Sequence, residues 1–249
     1  MKAPDPAQAP EAAAPDFNAY GDSYREAVQD SIAFSGAPHE FFTQAKARHL
    51  IALAERQLGE LETLDVIDVG CGVGETDRFL EGRFRELVGV DLAPELLARA
   101  AESNSWASYR SYAEDGRIPT DDRSFDLSFA ICVLHHVPPP DRERFVAEMA
   151  RVTKPGGIVA IFEHNPLNPL TRKSVRNCAF DEGVVLLPRR RTKRLLARQG
   201  LVPVADPYIV FFTRPGKMRA RAERALTRVP AGAQYYVAAR REPTSEEAE

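Results

Sequence analysis

A run of apolar residues, Val66-Ile67-Asp68-Val69, breaks directly into Gly70-Cys71-Gly72-Val73-Gly74, and 17 residues after Gly74 a second apolar run, Leu87-Val88-Gly89-Val90, ends in Asp91. Short apolar runs bounded by glycine are buried strands of a parallel sheet. Three glycines in five positions permit positive φ angles and let a ligand lie against bare backbone. A carboxylate at the tip of the adjacent strand can accept from two vicinal ribose hydroxyls. Strand, glycine turn and acid-tipped strand together describe a pocket for a nucleotide-like cofactor.

The rest of the chain repeats the alternation. Apolar residues recur at helical spacing over 23–34 and 39–61, with Gly36-Ala37-Pro38 between them, so two helices precede the first strand, 64–69. The pattern then predicts a helix over 76–80, a strand at 86–90, a helix at 94–101, a short strand at 109–113 and a strong strand at 125–133. A helix over 141–153 enters through Pro138-Pro139-Pro140, and Lys154-Pro155-Gly156-Gly157 is expected to end it in a tight turn before strand 158–162. A basic helix at 189–199, a strand at 202–212, a second basic helix at 218–228 and a strand at 233–239 follow. Such alternation predicts an α/β fold, doubly wound, with a mostly parallel sheet and helices on both faces. Residues 1–16, with four prolines among alanines and acids, read as a disordered tail, and 242–249 as an acidic tail. Between them, 17–61 would supply helices that form a lid, and 62–241 the cofactor-binding domain.

Composition narrows the function. With 249 residues and a formal charge of -3, the chain can bury one core and carries no global field that would favour nucleic acid. No apolar run approaches the roughly 20 residues of a membrane span, and the Ala- and Pro-rich start lacks a secretory pattern, so a cytoplasmic location is expected. Cys71, Cys132 and Cys178 are odd in number and widely spaced, which suits reduced thiols; no metal site is expected.

Charge discriminates among nucleotides. A dinucleotide site needs G-x-G-x-x-G and a pyrophosphate on the helix N-terminus, whereas here the order is G-x-G-x-G and Asp68 stands just before it. A carboxylate there repels a diphosphate and suits the ammonium and sulfonium of S-adenosylmethionine. The stretch Val66 to Gly74 resembles the first motif of the class I, Rossmann-like S-adenosylmethionine-dependent methyltransferases of the small-molecule type. That resemblance implies a seven-stranded sheet with an antiparallel C-terminal edge strand, S-adenosyl-L-methionine as cofactor, and methyl transfer to oxygen, nitrogen or carbon of a small-molecule acceptor.

Cofactor-binding candidates are therefore Asp68, Gly70, Cys71, Gly72, Gly74, Asp91 and Leu92, the last as an apolar wall for adenine. The resemblance also places an acidic residue before Ile118-Pro119 at the adenine amine; Glu114 and Asp115 both remain candidates. The segment from Ser124 to Val137 resembles the fourth motif and its loop, which puts Ala130 on the cofactor side and His135 and His136 beneath the transferable methyl. An imidazole titrates near neutrality and suits general-base work, although these two could simply support the loop. Glu163 and His164 open an unusual polar stretch, E-H-N-P-L-N-P-L-T, and are candidates to orient a substrate. Tyr20, Tyr24, Phe34, Phe41 and Phe42 could cover the site or pack ordinarily. The arginine clusters 189–194 and 214–228 read chiefly as solvated helix faces that could also hold an anionic substrate or a membrane surface. Two other readings stay open: a catalytically silent methyltransferase-like binding or assembly module, and a nicotinamide oxidoreductase, which the glycine spacing and Asp68 disfavour.

Overall fold

The structure, a computed structural model, describes residues 24–112, 115–214 and 216–243. Its strands are β1 (Asp65–Val69), β2 (Glu86–Asp91), β3 (Ser108–Ser111), β4 (Phe125–Ile131), β5 (Thr153–His164), β6 (Val202–Ala205), β7 (Tyr208–Ile209) and β8 (Gln234–Arg240). They form one sheet in the order β3-β2-β1-β4-β5-β8-β6, with β7 also paired to β8. The first five strands run parallel, and β8 runs against β5, β6 and β7. The reversal of strand order between β1 and β4 opens a crevice at their carboxyl ends, where open α/β sheets bind ligands.

Helices α1 (Tyr24–Ile32), α2 (His39–Leu58), α3 (Pro94–Ser103), α4 (Arg142–Val152), α5 (Pro169–Asn177), α6 (Arg189–Arg198) and α7 (Lys217–Leu226) complete the fold. Strand periodicity divides the core. Val66, Leu127, Phe129, Ala160 and Phe162 join Leu50 and Leu53 of α2 on one face. Ile67, Val69, Ala130, Val159 and Ile161 join Val146 and Met149 of α4 and Leu195 of α6 on the other. Because successive side chains alternate, the same register sends Asp68 to the α2 face and Glu163 to the α4 and α6 face. The buried stripe of α2 makes it a covering helix of the sheet, while α1 packs on α5.

Four elements differ from the sequence expectation. The helix over 76–80 is a single 3-10 turn, Asp77–Phe79. Gly74 and Gly82 on either side have positive φ, and the Asp77 carboxyl is drawn inward to accept from Tyr109 Oη at 2.8 Å, which leaves too few residues to propagate a helix. The turn at 154–157 is absorbed into β5 as an irregularity opposite Phe125 and Leu127; Gly156 N donates to Arg241 O at 2.7 Å and Arg240 Nη1 to Gly156 O at 2.6 Å. The single strand at 202–212 divides at Asp206-Pro207, since proline cannot donate to a ladder. Finally, α5 arises within the polar stretch because the Asn168 side chain caps it, accepting from Leu170 N at 2.9 Å and Thr171 N at 3.2 Å, with Pro169 at its first position.

Candidate active site

The glycine turn sits where β1 ends. Gly70, Gly72 and Gly74 have φ of 83°, 55° and 68°, and the N–H groups of Gly70 and Cys71 both donate to Val90 O, at 2.7 and 3.1 Å. A Cβ at Gly70 would lie 2.7 Å from Val133, and one at Gly74 would lie 2.5 Å from Asn104 Nδ2. At Gly72 it would meet nothing within 4 Å, so this residue faces the open space a ligand would enter.

Asp91 at the tip of β2 accepts from Gly72 N at 2.9 Å through one oxygen and from Ala93 N at 3.0 Å through the other. Each oxygen keeps a further lone pair, enough for a diol. Burial pushes the Asp91 carboxyl up, against these backbone donors. Leu92 is 73% exposed beside it, as an uncovered apolar wall would be.

Behind the turn, Asp68 and Asp77 are buried next to one another. Burial and the neighbouring Asp77 raise the Asp68 carboxyl well above its ordinary range, and burial pushes Asp77 up to about 6. Asp68 Oδ1, Asp77 Oδ1 and the Tyr112 hydroxyl are buried without a hydrogen-bond partner. Unmet buried acceptors in an acidic basin call for a cationic, donor-bearing ligand, and the only nearby cation acting on Asp68 among the described residues is Lys46. This donor set fits the amino and sulfonium groups of S-adenosylmethionine and opposes a pyrophosphate.

Other expected residues fall less centrally. Ala130 is fully buried on the α4 face. Asp115 is exposed, with Oδ1 accepting from Arg117 N at 2.9 Å and its carbonyl from Arg144. Glu114 and Tyr20 lie outside the described residues. Asp77, Tyr109, Tyr112 and Asn104 were missed by sequence reasoning. An isolated Asp within a run assigned to a helix gives no signal that its carboxyl turns inward.

A second polar cluster occupies the carboxyl ends of β4 and β5. Cys132 has φ 59° and turns the chain out of β4; the buried Arg142 then holds the loop, donating to Val137 O at 2.8 Å, His135 O at 3.3 Å and Val185 O at 2.9 Å. His135 Nδ1 and Glu163 Oε2 are 2.7 Å apart, and Glu163 Oε1 also accepts from His135 N at 3.3 Å. His135 Nε2 is 3.6 Å and His136 Nε2 3.3 Å from Asp181 Oδ1. The rings of His136 and His164 lie 4.2 and 5.2 Å from that of His135.

Burial works against charge on His135, but Glu163 and Asp181 outweigh it and push the imidazole up to about 10. Burial also disfavours the two carboxylates, yet His135 holds both below their usual range. Burial and the neighbouring cation lower His136 to about 3 and His164 to about 4. The arrangement is thus an imidazolium clamped between two carboxylates and flanked by two neutral imidazoles. His135, His136 and Asp181 each offer an atom within 4.8 Å of the others, the grouping a metal would need. Asp181 belongs to the cluster although the sequence marks it only as part of a polar loop; its contribution comes from the chain turn after α5.

The central part of the chain has relatives. Residues 67–161 match the family described as Methyltransferase domain. A 2-methyl-6-phytyl-1,4-hydroquinone methyltransferase of Synechocystis is 33% identical over 131 residues, covering 50% of this chain and 40% of that protein. A sterol 24-C-methyltransferase of Aspergillus fumigatus is 36% identical over 133 residues, covering 51% and 34%. The chain therefore spans less than half the length of these two relatives. Among solved structures, an S-adenosylmethionine dependent methyltransferase from Mesorhizobium loti superposes with a TM-score of 0.56 at 23% identity, over 76% of this chain and 96% of that one.

Proposed function

We propose that this chain is a class I (Rossmann-like) S-adenosylmethionine-dependent methyltransferase that holds the cofactor on the turn from Gly70 to Gly74 and serves methyl transfer to a small-molecule acceptor seated over the loop at His135 and His136. The observation that carries this reading is the acidic basin itself. Asp68 and Asp77 each keep one buried oxygen without a partner, near an open glycine, and Asp91 is pinned by Gly72 N with lone pairs to spare.

The bound cofactor supplies a methyl group made electrophilic by a positive sulfur, so the protein's task is alignment and handling of the acceptor's proton. Asp91 would take the ribose diol, Asp68 and Asp77 the cationic end, and Leu92 one face of the adenine. His135 cannot serve as the base, because Glu163 and Asp181 keep it protonated. His136 and Asp181 reach the surface, with side chains 14% and 8% exposed. His136, kept neutral by burial and the neighbouring His135 cation and 3.3 Å from Asp181, would orient the acceptor rather than take its proton. His164 would support the ring stack, and Glu163 orients His135. The acceptor's identity and the methylated atom belong to this same proposal; likeness to hydroquinone and sterol methyltransferases supports a small-molecule acceptor.

The test is incubation of the chain with methyl-tritiated cofactor and metabolite extract. Label in an extractable product that disappears in Asp91→Ala supports the reading. Cofactor binding with no label in any extract would favour the catalytically silent module.

A further inference from the structure

Away from the cofactor basin, a groove of about 800 Å³ lies between α2 and α7 and crosses β8 at Tyr236. Its volume is that of a small-molecule site. The walls are apolar: Phe41, Ala45, Val210, Phe212 and Tyr236. The rim is cationic, with Arg48, Arg56, Arg189, Arg224 and Arg228 against only Asp206 and Glu223.

Both acids are engaged. Asp206 Oδ2 is paired with Lys193 at 2.7 Å and Arg189 at 3.8 Å, and Glu223 Oε1 accepts from Phe211 N at 3.2 Å. No carboxylate among the described residues pairs with Arg56, Arg224 or Arg228. Three unbalanced guanidinium groups over an apolar trough are complementary to an anion carried on a hydrocarbon body.

The groove runs along α2 from Phe41 to Arg56, about 22 Å of helix at 1.5 Å per residue.

We propose that this groove binds an amphiphilic anion, a hydrocarbon body ending in a phosphate or carboxylate, with the anion at Arg56, Arg224 and Arg228. This ligand chemistry stands apart from the methyltransferase reading. An anionic membrane surface is the competing occupant, since α7 also exposes Met218, 86% accessible, among its arginines. A membrane would lie across the rim and leave the enclosed wall of Ala45 and Tyr236 empty, which favours a single molecule.

Calorimetry on the full chain tests this with monomeric dodecyl phosphate as probe, with dodecanol, inorganic phosphate and phosphatidylglycerol vesicles as comparators. The expected result is saturable binding of dodecyl phosphate, at least tenfold weaker binding of dodecanol, and far weaker binding of phosphate alone. The doubly charge-reversed Arg224→Glu/Arg228→Glu chain should lose at least tenfold in affinity, and Arg56→Gln, on a separate helix, should lose affinity independently. Both should bind S-adenosylhomocysteine as the parent does. Dodecyl phosphate affinity indifferent to these changes, or binding of vesicles alone, overturns the groove. Failure of S-adenosylhomocysteine to bind while the groove behaves as expected overturns the methyltransferase reading instead.

Discussion

His135 Nδ1 stands 2.7 Å from Glu163 Oε2, with both side chains buried, and this single pair fixes the charge state of the loop that would face the acceptor. Glu163 has no solvent to replace its partner. Truncating one member of a buried pair leaves the other as an uncompensated charge, at a cost of about 3–5 kcal/mol. Glu163→Gln should therefore lower unfolding free energy by that order in urea denaturation and reduce methyl transfer, while the chain that remains folded keeps its cofactor affinity.

The same pair makes stability depend on pH. His135 rises from 6.5 in the unfolded chain to about 10 when folded, so its contribution is fully present below pH 6.5 and is lost as pH climbs through 10. His136 and His164 shift the other way, to about 3 and 4; their contribution is present above pH 6.5 and is lost as pH falls through those values. Melting temperature should be highest near neutrality. In His135→Asn the decline between pH 6.5 and 10 should flatten, and unchanged pH dependence would remove the clamp from the account.

The glycine turn separates fold from function at two neighbouring positions. Alanine at either site carries the left-handed backbone penalty of about 1–2 kcal/mol. At Gly70 it also drives a Cβ to 2.7 Å from Val133, whereas at Gly72 it projects into open space. Gly72→Ala should melt within a few degrees of the parent yet bind S-adenosylhomocysteine at least tenfold more weakly. Gly70→Ala should lose stability as well as binding.

How far the sequence anticipates the structure follows from the kind of signal involved. Strands β1, β2, β4 and β5 are plain in it because buried parallel strands are rich in apolar residues, and the turn at Gly70 and Gly72 is plain because positive φ favours one residue type. The polar clusters are different. Asp77 lies in a segment with helical spacing and turns inward only because positive φ at Gly74 and Gly82 isolates it. Asp181 meets His135 across 46 residues of chain through α5, a helix visible only in the Asn168 cap and Pro169. Sequence separation hides such contacts, and with them the carboxylates that raise the His135 imidazole.

The buried carboxylates behind the turn should report the arrival of a cation. Asp77 is pushed up to about 6 and Asp68 is raised by burial and by its neighbour, so near pH 6 the pair retains a proton. A sulfonium or ammonium placed beside it favours the ionised form. Binding of S-adenosylmethionine at pH 6 should therefore release protons, seen as a calorimetric enthalpy that changes with the ionisation enthalpy of the buffer, and Asp77→Asn should abolish most of that dependence.

The most direct measurement is calorimetric titration of the full chain with S-adenosylhomocysteine and, separately, with nicotinamide adenine dinucleotide. Saturable binding of the first, weakened about 10–100-fold by Asp91→Ala through loss of a charged acceptor for the ribose diol, together with no detectable heat from the second, is the predicted result. Binding of the dinucleotide by a chain that ignores S-adenosylhomocysteine would contradict the account at its root.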